Sequence, residues 1–472
     1  MEKLRTARWE KVMNKVLESN IESLELLAEE IGLDFYRINY EVVPQEVMLE
    51  VVSYGLPTRA RHWSYGQSYD YQKMQGEMGF SKIYEVVLNN NPSYAFLLDT
   101  NTDIANTMVA AHVMGHVHFF KHNQLFKKTD RKMVYHAAER AQRIENYIEK
   151  YGIGKVEKWM DIGFALDKHI DWHKGVNRDK YSASEKIIRK RKKGEFEDIL
   201  RKPTLSCEEI TINESFPPHD EYDILWFLTN YADLYPWQKD VLEIIRQESY
   251  YFYPQYMTKI MNEGFASFIH AELMYMFDEI SPTQYIEFCK IHEKVVQPGS
   301  NKLNINPYFL GFSILKNIRE EWDAKKELGE SDITGLEKIY QVIKEEDDIS
   351  FIRNYLNEDL IKELELFTYV TRFNEAAGKY IEIVSTDTED VIESLTKELY
   401  HYRAPLISIN SASYDGLELR HISSNVGTLD QKHLQKVMEY LFEVWGSIIN
   451  VESADLEGEI VHYTYDELGF SG

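Results

Sequence analysis

Cysteine is scarce in this chain of 472 residues, which contains only Cys207 and Cys289. Two cysteines cannot form a disulfide framework, so we expect the protein to stay in a reducing compartment. The first residues lack the apolar core of a secretory signal. No uninterrupted apolar run approaches the roughly 18 residues needed to span a bilayer. These absences predict a cytoplasmic protein without a transmembrane segment.

Positive charge is also scarce. Lys and Arg together number 53 against 78 for Asp and Glu, which gives a formal net charge of -25. Such a surface repels nucleic acid and anionic membranes, so we expect no nucleic-acid partner. The exception is a basic run at 189–193, within a segment from 185 to 220 that breaks the helical pattern. A solvated surface insertion explains this run better than an anion-binding patch.

Apolar residues are well represented, at 44% of the chain, and 13% of the residues are aromatic. This composition is typical of a soluble globular protein with a large core. Apolar residues recur at helical spacing over most of the first 370 residues, beginning with 4–31. Two strands of a hairpin are predicted at 82–98. We therefore expect a mainly α-helical N-terminal domain with a small β-hairpin or sheet.

The last hundred residues follow a different pattern. Their strands and helices are predicted in the order β-α-β-β-α-β with one extra strand, at 379–385, 389–402, 405–411, 417–422, 429–445, 448–452 and 459–465. This order is typical of a ferredoxin-like split unit. We therefore predict two domains. A mostly helical domain with a candidate metal site spans 1–375, and an α+β ferredoxin-like domain spans 376–472.

A predicted helix at 103–121 carries His112 and His116. Residues four apart project from the same face of a helix, and two imidazoles at this spacing can take adjacent corners of a metal tetrahedron. Small neighbours such as Gly115 would let another helix approach closely. An HxxxH pair alone is weak evidence for a metal site, because single buried histidines with a satisfied hydrogen bond are common in protein cores.

A second segment adds to the case for a metal. Glu263 and His270 lie seven residues apart, which is two turns along one face of a predicted helix. A carboxylate on an apolar helix needs a partner, and a metal held by His112 and His116 would supply one. His270 is then either a fourth ligand or a residue that orients a ligand. A fourth protein ligand would close the coordination sphere and make the site structural.

The combination of the two segments resembles the gluzincin metallopeptidases, in which one helix carries HExxH and a later helix supplies a glutamate ligand. In HExxH the glutamate is the general base, but this chain has Val113 at that position. A hydrolase would therefore need a base from elsewhere. The candidates are Glu139, Glu145 and His136 on the predicted helix 131–151, and nothing in the spacing selects among them.

Two other patterns contain residues that can bind charged groups. Arg143 lies seven residues after His136, so both can pair with an anionic substrate or a metal-bound carboxylate; an exposed amphipathic helix explains them equally well. His169, Asp171 and His173 form an HxDxH string. Because its alternation does not suit one helical face, we interpret it as a solvated helix end.

Six blocks of the chain resemble the SpoVR family, stage V sporulation protein R. The blocks lie at 54–57 with 61–66, 91–95 with 98–101, 111–116 with 119–120, 251–255 with 258–264, 306–308 with 310–311, and 351–356. Arg61, His62 and Asn262 fall within these blocks. Together with Arg143, we assign them to contacts with a substrate or to support of the metal ligands.

The resemblance implies a role in forming the peptidoglycan cortex of the bacterial endospore, in the cytosol of the mother cell. The family also occurs in bacteria that do not sporulate, so its chemistry extends beyond the cortex. The first functional hypothesis is a zincin-like hydrolase of peptide or amide bonds. It would hold one divalent transition metal, with zinc the expected ion.

The second hypothesis is a non-catalytic regulator or scaffold of cortex peptidoglycan synthesis. The histidines and Glu263 would then hold helices together, with or without a metal. The C-terminal domain would contact the proteins of cortex synthesis or other cytosolic proteins.

Overall fold

The computed structural model describes most of the chain. The described residues are 14–77, 85–181, 216–299, 305–374, 378–397, 399–413, 415–422, 427–455 and 457–472. Their contacts group into two compact units. The first unit comprises Met1–Gln142 and Pro254–Leu399, and the second comprises Arg143–Tyr253 and Tyr400–Gly472. This division differs from the linear one near residue 375, which stays a prediction.

Helices account for most of the described residues, as predicted. The α-helices are α1 (Lys15–Glu30), α2 (Gln45–Tyr54), α3 (Trp63–Glu77), α4 (Asp103–His122), α5 (Met133–Tyr151), α6 (Ile153–Leu166), α7 (Ile224–Tyr231), α8 (Pro236–Met257), α9 (Lys259–Met276), α10 (Pro282–Val295), α11 (Pro307–Glu327), α12 (Gly335–Glu345), α13 (Asp348–Tyr355), α14 (Glu358–Glu363), α15 (Thr388–Lys397) and α16 (Gln431–Trp445). Short 3-10 helices lie at Leu125–Lys128 and Tyr400–Arg403. Within the described part of the chain, none of these helices is long and apolar enough to cross a membrane.

Strands form three small sheets. They are β1 (Ile38–Val43), β2 (Glu85–Leu88), β3 (Ser93–Leu98), β4 (Thr368–Asn374), β5 (Gly378–Ser385), β6 (Ile407–Ala412), β7 (Gly416–His421), β8 (Ile448–Ala454), β9 (Ile460–Asp466) and β10 (Gly469–Ser471). The sheet orders are β1-β3-β2, β4-β5 and β10-β9-β8-β7-β6. The basic run predicted as a surface insertion lies outside the described residues.

Helix α4 is buried on all sides. The side chain of Thr102 caps its N-terminus by accepting a hydrogen bond from the amide of Ala105 at 3.3 Å. Every residue from 104 to 120 is buried. A helix that is apolar around its whole circumference belongs to a protein core, so the histidines of α4 lie inside the first unit.

Helix α9 is fixed along its axis by a buried carboxylate. Thr258 precedes α9 but makes no side-chain cap. Instead, Asp348 at the start of α13 accepts hydrogen bonds from the amides of Ile260 and Met261, both at 2.8 Å. These bonds satisfy two of the amides that a helix N-terminus leaves without a partner. Asp348 therefore sets the axial position of the residues that α9 carries.

Glycines bring α9 close to its neighbours. A Cβ atom on Gly264 would lie 2.4 Å from the Cα of Gly311 on α11, and a Cβ on Gly115 would lie 2.8 Å from the Cα of Ala266. No real side chain fits at such distances, so only glycine permits these approaches. The close helix approach that we expected at Gly115 is present, and α9 packs tightly against both α4 and α11.

The three-stranded sheet of the first unit lies next to α4. β1 runs parallel to β3, whereas β2 runs antiparallel to it with Glu85 opposite Leu97. The predicted hairpin is therefore present, although its expected first residues lie outside the described chain. β2 is an edge strand of this sheet. Glu85, at its start, stands at that edge.

The C-terminal sheet of the second unit has five strands. β6 and β7 are antiparallel, β7 and β8 are parallel, and α16 connects the parallel pair and packs on the sheet. The sheet-containing C-terminal part is confirmed, but its topology differs from the predicted ferredoxin-like unit. The first predicted strand, β5, pairs instead with β4, and α15 follows it within the first unit. Local antiparallel pairing with β4, which the pattern did not reveal, satisfies the hydrogen bonds of β5.

Candidate metal centre

His112 and His116 form the centre of the candidate site. They lie one turn apart on α4, and their ring centroids are 4.6 Å apart in an edge-to-face arrangement. Only 3% of His112 and 4% of His116 are exposed. A buried imidazole needs a partner for each ring nitrogen. The partner is either a hydrogen-bonding group or a cation that the nitrogen binds.

Glu263 of α9 reaches both histidines. Its Oε2 atom lies 3.4 Å from Nε2 of His116 and 3.7 Å from Nε2 of His112. Tetrahedral zinc, with ligand bonds of about 2.0–2.1 Å, places its ligand atoms about 3.4 Å apart. The structure therefore brings together the three residues that we expected to converge, at a spacing that suits ligands of one ion. Their role as ligands stays a prediction.

Glu85 is a fourth member of the cluster that sequence reasoning missed. Its Oε1 atom lies 3.7 Å from Nε2 of His112. One ligand atom each from Glu85, His112 and His116 lie within 4.8 Å of one another, a triad that can hold a metal ion. The only sequence signal was an acidic residue at the start of an apolar strand, and no motif spacing connects this residue to α4.

Two buried atoms of the cluster lack hydrogen-bond partners. They are Nε2 of His112 and Oε2 of Glu263. Buried polar atoms without partners are costly, and in native proteins they need a specific explanation such as an ion. Imidazole and carboxylate groups together are the donor set of catalytic zinc sites. The residues present therefore fit a divalent transition metal.

The two carboxylates differ in their electrostatic surroundings. Burial raises the pKa of Glu85 above its ordinary value, and the attraction of His112 and His116 only partly opposes this rise. Burial also raises the pKa of Glu263, but the two histidines outweigh burial and bring its pKa well below the ordinary value. Glu263 is thus held as a carboxylate, whereas Glu85 takes up a proton more readily.

Each histidine of the pair is also held at its other ring nitrogen, Nδ1. The Nδ1 atom of His116 donates to Oδ1 of Asn262 at 3.0 Å, which leaves Nε2 of His116 facing Glu263. The Nδ1 atom of His112 lies 2.9 Å from Nδ1 of His270. Metal-binding histidines generally have such a partner on the other ring nitrogen. Asn262 thus lies where we expected a supporting residue.

His270 lies behind His112 and not beside its Nε2 atom. Its role as a fourth ligand or as an orienting residue stays a prediction. The remaining Nε2 atom of His270 lies 2.7 Å from Nδ1 of His292 on α10. His292 had no predicted role, because nothing in its spacing relates it to α4 or α9.

The predicted general bases on α5 have other surroundings. Nδ1 of His136 lies 2.5 Å from Oδ2 of Asp130, and Glu139 is exposed. Glu145, farther along the same helix, belongs with the second unit. The groups that shift the pKa of Glu85 are His112, His116 and Glu263, and no α5 residue is among them. The role of Glu139, Glu145 or His136 as a general base stays a prediction.

The predicted substrate-contacting residues make local contacts. Arg143 forms an ion pair with Asp240, with Nε and Oδ2 3.2 Å apart. Nδ1 of His62 lies 2.7 Å from Oγ of Ser64, and the ring packs against Trp63. Contacts of Arg61, His62 and Arg143 with a substrate stay predictions.

The HxDxH string lies in the second unit, and part of it is buried. Helix α6 ends at Leu166, before the string begins. His169 is buried, and burial together with the positive charge of His401 lowers its pKa to about 3. Our interpretation of the string as a solvated helix end is therefore wrong for His169, although His173 is exposed.

Comparisons with known proteins agree with the resemblance noted in the sequence. The family model described as SpoVR like protein matches residues 11–403. An Escherichia coli (strain K12) protein named "Uncharacterized protein YcgB" is 30% identical over 485 aligned positions, covering 94% of this chain and 93% of that protein. No solved structure gives a significant match. The extent of the family match shows that the chain belongs to the SpoVR family.

Proposed function

We propose that the protein is a metal-dependent hydrolase of peptide or amide bonds that acts in the formation of spore cortex peptidoglycan, in the cytosol of the mother cell. Membership of the SpoVR family suggests a role associated with sporulation. The observation that carries the catalytic part is the convergence of two buried imidazoles with Glu85 and Glu263.

We assign His112, His116 and Glu263 as the protein ligands of one zinc ion. Two histidines and one glutamate form the ligand set of catalytic zinc sites that keep a fourth position for water or substrate. The low pKa of Glu263 suits a carboxylate that stays ionised and bound. Since His270 lies behind His112, it leaves the fourth position open.

Glu85 is the proposed general base. It replaces the HExxH glutamate, whose position is taken by Val113, fully buried in the core. Burial raises its pKa above the ordinary value, so Glu85 accepts a proton more readily than Glu263 does, as a general base must. In many active sites, two carboxylates have different pKa values because their surroundings differ. The one with the lower pKa stays ionised, and the one with the higher pKa transfers protons.

The protein groups then perform the following steps. A bound zinc ion would polarise the scissile carbonyl and lower the pKa of water. Glu85 accepts a proton from the attacking water as the new C–O bond forms. It passes this proton to the leaving nitrogen as the C–N bond breaks. Tyr308, whose ring lies 6.1 Å from that of His112, is the proposed hydroxyl donor to the developing oxyanion.

The edge position of Glu85 favours a peptide substrate. The side chains of Glu85 and Glu263 are 15% and 19% exposed, so this side of the cluster lies close to the surface of the first unit. β2 is an edge strand of the described sheet. An extended peptide can add to such an edge through main-chain hydrogen bonds, which would bring its amide bonds next to Glu85.

The decisive experiment combines metal content with catalysis. Wild-type protein purified without added metal should contain about one zinc ion per chain by elemental mass spectrometry. It should hydrolyse amide bonds in peptidoglycan stem peptides. The Glu85→Gln variant should keep its zinc and lose hydrolysis about 100-fold or more. Glu50→Gln, an exposed change on α2, is the matched control.

Two outcomes would contradict this proposal. Metal-free wild-type protein would leave only the regulator or scaffold hypothesis. Zinc-loaded protein without activity on any amide substrate would assign the cluster a structural role.

A further inference from the structure

Three imidazoles form a hydrogen-bonded chain that leads away from the candidate metal centre. Nδ1 of His112 lies 2.9 Å from Nδ1 of His270, and Nε2 of His270 lies 2.7 Å from Nδ1 of His292. The chain crosses from α4 through α9 to α10. His292 is partly exposed, so the chain connects the buried cluster to the rim of the first unit.

Each contact in this chain requires one proton. A neutral imidazole carries one N–H, so it donates from one ring nitrogen and accepts at the other. The three rings can therefore be ordered in two directions. In one, His112 donates to His270 and His270 donates to His292. In the other, His292 donates to His270 and His270 donates to His112.

Only the first direction is compatible with a metal at His112. When Nδ1 of His112 donates, its Nε2 has a free lone pair directed at Glu263. When Nδ1 of His112 accepts, the proton of His112 is on Nε2, and this atom cannot bind a metal. The direction of the chain therefore decides whether His112 is a ligand.

We propose that His270 and His292 are positioning residues that hold His112 in its metal-binding tautomer, so that metal binding fixes the proton of His292 on Nε2. This inference rests on the metal site of the proposed function but not on its catalytic activity. Neither residue would touch the metal or the substrate.

The surroundings of the three imidazoles stabilise the hydrogen bonds between them. Only 1% of His270 is exposed, so water cannot readily replace either of its partners. His292 is held between two aromatic rings, with centroid distances of 5.9 Å to Phe288 and 5.3 Å to Phe312. Burial also lowers the pKa of His270 and brings that of His292 to about 4, consistent with neutral rings.

The first test measures zinc affinity by competition with a chelator. His270→Leu removes the acceptor behind His112 and should weaken zinc binding about 10- to 100-fold, the usual effect of losing such a partner. His270→Asn places a side-chain oxygen near the former Nδ1 position and should restore affinity to within a few-fold. His433→Leu, at a histidine with 90% side-chain exposure in the second unit, is the control and should have no effect.

The second test reads the tautomer directly in the wild-type protein and uses a variant only to assign the signal. Full-length protein labelled with ¹⁵N-histidine is compared without and with zinc by long-range ¹H–¹⁵N correlation, and His292→Asn identifies the signal. Zinc should move His292 to a single state with the proton on Nε2. A proton on Nδ1 of His292 in the zinc-bound protein would overturn the inference.

The outcomes separate this inference from the proposed function. Zinc binding without hydrolysis would reject the catalytic role and leave the inference intact. Unchanged zinc affinity in His270→Leu would reject the inference alone. A wild-type protein that binds no zinc would reject both.

Discussion

Both units contain buried histidines, but their surroundings differ. In the first unit, burial lowers the pKa of His116, yet Glu263 and Asn262 outweigh burial and raise it. In the second unit, His169 is near Lys168 and two other histidines, whose positive charges add to the effect of burial and lower its pKa to about 3. Histidines that cluster with carboxylates can share a cation, whereas histidines beside other cations are kept neutral.

The largest expected effect follows from removing a histidine of the first cluster. His116→Ala deletes a nitrogen that lies 3.4 Å from Glu263 and should abolish stoichiometric zinc binding. His169→Ala in the second unit should leave the zinc content unchanged. Elemental mass spectrometry of the purified variants checks both. Copurification with iron would contradict the choice of zinc, and zinc retained in His116→Ala would contradict the ligand set.

Acid should destabilise the second unit through His169. Its folded pKa of about 3 lies below the unfolded value of 6.5, so the unfolded chain binds the extra proton between these values. The stability contributed by neutral His169 is present above pH 6.5 and is lost as the pH falls towards 3. The loss can reach about 5 kcal/mol, at about 1.4 kcal/mol for each pKa unit.

Urea denaturation at a series of pH values checks this prediction, with His169→Gln as the comparison. The variant should lose less stability than the wild type between pH 6.5 and 4. Equal acid sensitivity in both proteins would show that His169 titrates normally in the folded state.

Helix packing gives a third contrast between the units. Gly264→Ala forces a methyl group against the backbone of Gly311 and should destabilise the first unit by about 1–3 kcal/mol. Gly154→Ala, on helix α6 of the second unit, meets no atom within 4 Å and should be neutral or stabilise by roughly 0.5–1 kcal/mol. Thermal denaturation of the two variants measures the difference. A neutral Gly264→Ala would mean that α9 and α11 can separate without cost.

The smallest effect is expected from exposed charges on the C-terminal sheet. Arg420 and Glu452 form an ion pair of 2.9 Å across β7 and β8, and both side chains are more than a third exposed. Solvent weakens such pairs, so a double-mutant cycle to alanine should give a coupling energy of about 0–1 kcal/mol. A coupling above this range would show that the pair is better shielded from solvent than its exposure indicates.

The sequence allowed the helical part of the site to be predicted, because helical periodicity is local. His112 and His116 share a face by their spacing alone, and Glu263 was identified as an acidic residue on an apolar helix. Glu85 and His292 could not be found in this way, because they lie on β2 and α10. Tertiary packing brings these elements to the cluster, and the sequence pattern of neither one relates it to α4 or α9. In the same way, the pattern of β5 identified a strand but not its partner β4.

Asp348 has a consequence for how the candidate site is assembled. Asn262, Glu263 and His270 all belong to α9, whose first amides bind this one carboxylate from the start of α13. A shift of α9 by a single turn, about 5.4 Å, would carry all three away from α4 together. The candidate site therefore forms only when α9 and α13, which are far apart from α4 in the sequence, have reached their native register.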